Sequence, residues 1–272
     1  MAGDAPTSPA IEFREGPAAS PGPLPGIRWS DHSVELDLPG QGSIVVSGTG
    51  IIILGPDEDS RQQVHAQLGT WARGQWLRAN GLTAVNGTCI AREGRSIVFT
   101  GAPRIGCSLL ALVLLERGWQ LASDGIVAWG DDCVPLTFGG SITADRIVVP
   151  GIDPARVSTA ISGRDRVHIQ APAVGTGTIT GSVFLGRRLA LTGPRVARSD
   201  PSTANRELLN EHWAAACIPT LVPASRPTDT VLPQVPILSL VRPRSIDEAI
   251  VRSSAPPILA ELIEPTLLEL CS

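Results

Sequence analysis

Hydrophobic and polar residues alternate near the start of the chain with the period of a β-strand. Val34, Leu36 and Leu38 are spaced by two, and apolar runs follow at residues 44–46 and 51–54. Alternation with period two is typical of strands that bury one face. The turn sequence Gly-Thr-Gly separates the two apolar runs. The pattern therefore predicts a series of short β-strands.

A helix is predicted directly after these strands. Four polar residues at 57–60, three of them acidic, suit the first turn of a helix, where negative charge is favourable. Val64, Leu68 and Trp71 then recur at helical spacing and predict its apolar face. Together, the strands and this helix predict a β-rich N-terminal lobe with one helix over residues 27–80.

The pattern changes after residue 81 to strands that surround a second helix. Leu82–Val85 reads as a strand, Asn86 and Gly87 as a turn or bulge, and Ser96–Thr100 as a buried strand. The apolar stretch Cys107–Glu116 predicts a helix. A buried strand followed by a loop and a helix is typical of an α/β sheet.

Two further apolar segments, Trp119–Ala122 and Ile126–Trp129, predict strands, with Asp124 between them. Ligands of α/β proteins bind at the carboxyl ends of strands. We therefore expect Asp124 to lie close to the loop at residues 101–108, on a strand parallel to the strand Ile97–Thr100.

Composition adds boundaries to this pattern. Residues 1–26 are rich in Pro, Ala, Gly and Ser and lack periodicity, which predicts a disordered tail. Residues 81–252 are predicted to form one α/β domain, and residues 253–272 a C-terminal segment. The formal net charge of −4 argues against a nucleic-acid-binding protein, which needs clustered basic residues.

The loop after the buried strand has the spacing of a phosphate-binding loop. Such a loop reads Gly-x-x-x-x-Gly-Lys-Ser/Thr, in which backbone N–H groups cradle phosphate, the lysine reaches the β- and γ-phosphates and the hydroxyl holds Mg²⁺. The candidate nucleotide-binding residues are Gly101, Ala102, Pro103, Arg104, Ile105, Gly106, Cys107 and Ser108. Cys107 occupies the lysine position, and all 22 basic residues of the chain are arginine, so no lysine can replace it.

The cysteines predict neither a zinc site nor a disulfide framework. They are odd in number, widely spaced and contain no C-x-x-C pair. The chain also has no cationic start followed by an apolar segment, and no apolar run of ~18 residues. We expect a cytoplasmic protein with reduced thiols and no membrane partner. The five cysteines are Cys89, Cys107, Cys133, Cys217 and Cys271.

Three segments in order resemble the catalytic domain of HPr kinase/phosphorylase. They are Asn86-Gly87, the loop GAPRIGCS and the stretch LERGWQLASDG. The family pattern is a His-Gly hairpin, a loop ending in Gly-Lys-Ser/Thr, a helix ending in Arg-Gly and then an Asp-Asp pair. The resemblance implies a bacterial α/β protein with a P-loop core like that of phosphoenolpyruvate carboxykinase. It leaves homo-oligomer formation open.

The sequence departs from the family pattern at its chemical groups. The family histidine aligns with Asn86, the loop lysine with Cys107 and a loop glycine with Arg104. The resemblance makes Asp124 a vestigial base, because it aligns with the proton-accepting carboxylate, while Gly125 replaces the second aspartate. If Mg²⁺ is bound, the family pattern gives its ligands as Ser108 and Asp124; otherwise no metal site is expected.

Three functions remain open from the sequence. The first, which we favour, is a catalytically degenerate HPr-kinase-like protein, a pseudokinase without cofactor that binds a partner protein or peptide. The second is an active ATP- and Mg²⁺-dependent kinase on a peptide or protein serine, with Arg104 replacing the lysine. Family relatives encoded beside peptide natural-product genes modify precursor peptides, which would suit this second function. The third is another enzyme that reuses the fold.

Overall fold

The computed structural model describes residues 9–17, 26–30, 32–101, 105–138, 140–145, 157–159, 166–171, 177–188, 192–199, 235–244 and 255–272. The described residues form two compact units, the first ending at Ala84 and the second beginning at Val85. The architecture is mixed α/β, with a mixed sheet in each unit and a smaller antiparallel sheet.

The first unit is a five-stranded sheet with one helix packed on it. The elements are β1 (Ala10–Glu15), β2 (Ile27–Trp29), β3 (Ser33–Leu38), β4 (Gly42–Ser47), β5 (Gly50–Gly55) and α1 (Glu58–Ala79). The order across the sheet is β1-β5-β4-β3-β2, and α1 packs against β4 and β5. The helix begins where predicted, because the Asp57 side chain caps it by accepting from the Ser60 N–H at 2.7 Å. Val64 of α1 is fully buried, as its apolar spacing predicts.

Strand β1 corrects the predicted disordered tail. Residues Ala10–Glu15 pair in parallel with β5, with Ala10 opposite Gly50 and Glu15 opposite Gly55. Five of the six residues of β1 are exposed, so the strand does not show the run of buried apolar residues from which a strand is predicted. It is held by backbone hydrogen bonds to a strand 40 residues later in the chain, which a local pattern does not report.

The main sheet of the second unit has six strands. They are β6 (Thr83–Arg92), β7 (Arg95–Gly101), β8 (Gln120–Trp129), β12 (Ile179–Arg188), β13 (Arg195–Arg198) and β14 (Ile237–Pro243), in the order β13-β14-β12-β7-β6-β8. Strands β7, β12 and β14 are parallel to one another, and β6 and β13 are antiparallel to their neighbours β7 and β14. Strand β7 lies inside the sheet, as expected of the buried strand that precedes the loop.

Two predicted breaks in these strands do not occur. Strand β6 continues through Asn86 and Gly87, because Gly87 serves close strand contact rather than a turn: a Cβ there would lie 2.2 Å from the Phe99 carbonyl oxygen. Strand β8 likewise continues through Asp124 and Gly125 and is one strand rather than two. Gly125 has a φ of +80°, which a glycine adopts without strain.

The helices of the second unit form one hydrophobic core with the sheet. Helix α2 runs over Cys107–Leu115 and helix α3 over Pro256–Cys271. Every residue of Leu110–Leu114 is buried, which is typical of a helix covered on all sides. A small antiparallel sheet of β9 (Gly140–Asp145), β10 (Val157–Thr159) and β11 (Arg166–Ala171) adds buried side chains to this core. None of the helices that the structure describes has the length and apolar character needed to cross a membrane.

Candidate functional site

The loop lies where β7 passes into α2. Gly101 is the last residue of β7 and pairs with Leu185 of β12, and Gly106 is the N-cap of α2. Cys107 and Ser108 are the first two residues of the helix. The loop residues Ala102, Pro103 and Arg104 lie outside the described residues, so the structure assigns them no place.

Gly106 is required by the backbone at the start of α2. Its φ is +110°, a value that L side chains rarely adopt. This conformation turns the chain from the loop into the helix, and the Gly106 carbonyl then accepts from the Leu110 N–H at 3.0 Å. The backbone conformation therefore favours glycine at position 106 whether or not a nucleotide binds.

Asp124 and Ser108 are in direct contact, which confirms the proximity that their spacing predicts. The Ser108 hydroxyl donates to Oδ1 of Asp124 at 2.8 Å, and the Thr88 hydroxyl donates to the same oxygen at 2.6 Å. Asp124 reaches Ser108 from the middle of β8 rather than from a strand end. Strand β8 neighbours β6, which carries Thr88, and β6 separates it from β7. We call Asp124, Ser108 and Thr88 the Asp124 cluster.

The Asp124 cluster has a defined chemical character. Both hydrogen bonds have the ordinary length of an O–H···O contact, and one carboxyl oxygen accepts both of them. Thr88 is buried, whereas Ser108 and Asp124 are half-buried. The hydroxyl of Ser108 at the start of α2 is thus hydrogen-bonded to the Asp124 carboxyl group of β8.

Asn86 lies in the same region of β6. Its carbonyl oxygen accepts from the Thr100 hydroxyl at 2.8 Å, next to the end of β7. The position that corresponds to the family histidine thus lies two residues before Thr88 of the Asp124 cluster. An asparagine side chain does not titrate, so it cannot relay a proton as histidine does.

Sequence reasoning missed one cationic residue at the loop. Nη2 of Arg242, near the end of β14, donates a hydrogen bond to the Ile105 carbonyl. The same nitrogen is 3.5 Å from where a Cβ at Gly106 would sit. Because β7, β12 and β14 are parallel, their carboxyl ends meet at one edge of the sheet, which brings Arg242 beside the loop. Only the order of strands could have revealed this contact.

The residues present fit ATP and Mg²⁺ only in part. The Ser108 hydroxyl and the Asp124 carboxylate are oxygen ligands of the kind that Mg²⁺ prefers. The described residues contain no group of three His, Cys, Asp or Glu side chains that could hold a metal. At position 107 a thiol stands where the P-loop chemistry needs an ammonium group. The described residues therefore do not supply the full set of groups with which a P-loop binds ATP and Mg²⁺.

Comparisons with known proteins assign this chain to no family. No family model matches the chain, and no curated protein matches it. Among solved structures, the Hpr(Ser) kinase/phosphatase from Coxiella burnetii is similar to 70% of this chain over 99% of its own length. The identity is 12% and the TM-score 0.33, a likeness too weak to carry an argument about this chain.

Proposed function

We propose that this chain is a catalytically degenerate HPr-kinase-like protein that acts by binding a partner protein or peptide. One observation carries the proposal: the loop keeps Gly101, Gly106 and Ser108, but Cys107 takes the lysine position and the chain contains no lysine. The group that would bring positive charge to a bound phosphate is thus replaced by a thiol.

The energetic argument favours loss of phosphoryl transfer. That reaction depends almost wholly on positioning and charge stabilisation, with little covalent work for the protein. Removing one charge-stabilising group typically costs about 3–4 kcal/mol, or 10²–10³ in rate. The replacements at positions 86, 107 and 125 remove three such groups relative to the family pattern, although the losses do not add.

Partner binding follows from what the chain retains. Ile105 of the loop and the buried residues of helix α2 are packed into one hydrophobic core. A folded scaffold that lacks the charges of the reaction can still present a shaped surface to another protein. The function we propose uses this surface without turnover and needs neither ATP nor Mg²⁺.

A second candidate is an ATP-dependent serine kinase with a rearranged site. The observation that favours it is Arg242, whose guanidinium lies against the loop at Ile105 and Gly106. Arginine binds phosphate through two parallel hydrogen bonds and could supply the missing charge. In this alternative Arg242, or Arg104 as the sequence suggests, takes the task of the lysine.

Measuring ADP formation separates the two candidates. The purified chain is incubated at high concentration with limiting ATP and Mg²⁺, so that even a single turnover is visible. We expect no ADP above the level without protein, both for the wild type and for Cys107→Lys. ADP formation by the wild type that is lost in Arg242→Gln would establish the rearranged kinase instead.

A further inference from the structure

The outward face of α3 carries an unusual number of exposed apolar side chains. Four large hydrophobic side chains are exposed among the described residues, and three of them lie on this helix. Ile258 is 41% exposed, Leu262 40% and Leu268 39%. Ile258 and Leu262 are four residues apart and so lie on one side of the helix, and Leu268 joins this face through the exposed Pro265, which is three residues from both Leu262 and Leu268. We call these three residues the α3 stripe.

The α3 stripe is separate from the face that holds α3 in the fold. Leu259, Ile263 and Leu267 point into the core of the second unit and are buried. A helix on a protein surface usually turns charged and polar residues outward, opposite its buried face. Clustered exposed apolar residues instead mark a site of protein–protein contact.

The polar groups of α3 define the charge of its partner. The helix contains three glutamates and no basic residue. Arg117 pairs with both Glu264, at 2.8 Å, and Glu261, at 3.3 Å. This single positive charge does not balance the three glutamates, so the helix has an excess of negative charge. Glu269 and Glu261 are exposed and flank the α3 stripe.

Hydrogen-bonding capacity points in the same direction. Pro265 lies inside α3 and has no N–H, so the Glu261 carbonyl lacks the helix donor that it would normally have four residues later. Apart from the Thr266 hydroxyl and the buried Cys271 thiol, the polar side chains of α3 are glutamates, which offer acceptors when ionised. A partner that satisfies this face must bring apolar side chains together with cationic donors.

We propose that the α3 stripe is a docking surface for a basic, amphipathic segment of a partner protein. Its leucine-like side chains cover Ile258, Leu262 and Leu268, and its Lys or Arg side chains meet Glu261 and Glu269. A second copy of this chain fits less well, because the glutamates of the two helices would face each other. The inference deepens the proposed partner binding and rests on it.

The test uses a fluorescent 18-residue helical peptide with leucine on one face and lysine on the other, titrated with the full chain. Fluorescence anisotropy should show saturable binding, with Kd in the micromolar range that a small interface gives. A matched peptide with glutamate in place of lysine should not bind. Leu262→Lys should weaken binding at least about tenfold, and Glu269→Lys should weaken it and reduce its salt dependence. Phe13→Lys is the matched control, since Phe13 is 41% exposed on the first unit.

Several results would overturn the docking surface. They are absence of saturable binding, equal binding of the glutamate peptide, or unchanged affinity in both Leu262→Lys and Glu269→Lys. A dimer in light scattering that Leu262→Lys converts to a monomer would assign the stripe to a second copy. Should Leu262→Lys fail to fold, Glu269→Lys still decides. ADP formation by the wild type would instead contradict the proposed function without changing the peptide titration, so the two failures are distinguishable.

Discussion

At the scale of single residues, Asp124 determines how the candidate site is interpreted. Its Oδ1 accepts hydrogen bonds from the hydroxyls of both Ser108 and Thr88. We expect Asp124→Ala to lower the free energy of unfolding by about 1–3 kcal/mol, because buried Thr88 loses its acceptor. Asp124→Asn keeps an oxygen acceptor and should cost less. Urea unfolding measures both.

Asp131 provides the matched control for this experiment, since it is an exposed aspartate in a turn of the same unit. Asp131→Ala should change stability by less than about 0.5 kcal/mol. If Asp124→Ala were as stable as the wild type, the Asp124 cluster would have no structural role, and a role in binding a ligand would become the better explanation.

His65 gives the first unit a pH dependence. Burial lowers the pKa of His65, and the nearby positive charge of Arg73 lowers it further. The folded state therefore binds fewer protons at this site than the unfolded state, so stability falls as pH drops below the ordinary value of 6.5 and is fully present above it. His65→Gln should remove this part of the acid sensitivity. Urea unfolding at several pH values tests it.

The control for the pH series is Thr70→Ala, because Thr70 is an exposed residue of the same helix as His65 and carries no titratable group. It should leave the slope of stability against pH as it is in the wild type. Parallel curves for His65→Gln and the wild type would mean that the histidine titrates alike in the folded and unfolded states.

At the residue scale, contacts between residues of one motif were predictable from the sequence. The pairing of Ser108 with Asp124 was predictable because both lie in the segment from the loop to the next strand. Thr88 and Arg242 were not predictable, since they reach the site from strands that are neighbours only in space. The spacing of residues within a motif predicts contacts such as that of Ser108 with Asp124. The contacts of Thr88 and Arg242 can be predicted only when the order of strands in the sheet is known.

At the scale of elements, Gly87 controls the pairing of β6 with β7. A Cβ at this position would lie 2.2 Å from the Phe99 carbonyl oxygen, so the strands would have to separate. We expect Gly87→Val to destabilise the second unit by at least about 2 kcal/mol. In the matched control Gly193→Ala, a Cβ meets nothing within 4 Å, and stability should stay nearly unchanged. Equal stability of both variants in urea would contradict the close strand contact.

A second element-scale contact joins α3 to the end of α2. Glu264 accepts from the Arg117 guanidinium at 2.8 Å and from the Trp119 indole N–H at 3.2 Å. Its hydrogen bond raises the pKa of Arg117, as does the nearby charge of Glu261. Glu264→Ala should cost about 1–2 kcal/mol in urea unfolding, because the buried indole N–H of Trp119 loses its acceptor.

The control for this contact is Glu264→Gln, which keeps an acceptor oxygen and should recover part of the loss. Glu261→Ala should have little effect, because the Glu261 side chain is 66% exposed and its pair with Arg117 is longer. A larger loss in Glu261→Ala than in Glu264→Ala would show that another contact holds α3.

The elements themselves were partly predictable. The order of β7, loop and α2 followed from a buried apolar strand and a helix-length apolar run. Strand β1 and the continuity of β6 and β8 could not be predicted from the sequence pattern. They depend on pairing with distant strands and on glycines that resemble turn signals. Glycine in a sequence does not reveal whether it serves a turn or a close contact.

At the scale of the whole molecule, the mixed α/β architecture agrees with the predicted fold class, while its function rests on the chemistry of one loop. The parallel strands β7, β12 and β14 bring Gly101 and Arg242 to one edge of the sheet. The loop lacks lysine, and no other lysine exists in the chain. The central claim is therefore that this site does not bind and turn over ATP.

Thermal unfolding with and without ATP–Mg²⁺ tests this claim most directly. A ligand at 100 times its Kd stabilises a folded protein by about 2.7 kcal/mol, so binding at millimolar nucleotide would be visible. We expect no resolvable shift for the wild type, because Cys107 supplies no positive charge to the β- and γ-phosphates. Cys107→Lys should gain a shift without forming ADP. A clear wild-type shift that disappears in Arg242→Ala or Arg104→Ala would contradict the account and establish an arginine in the task of the lysine.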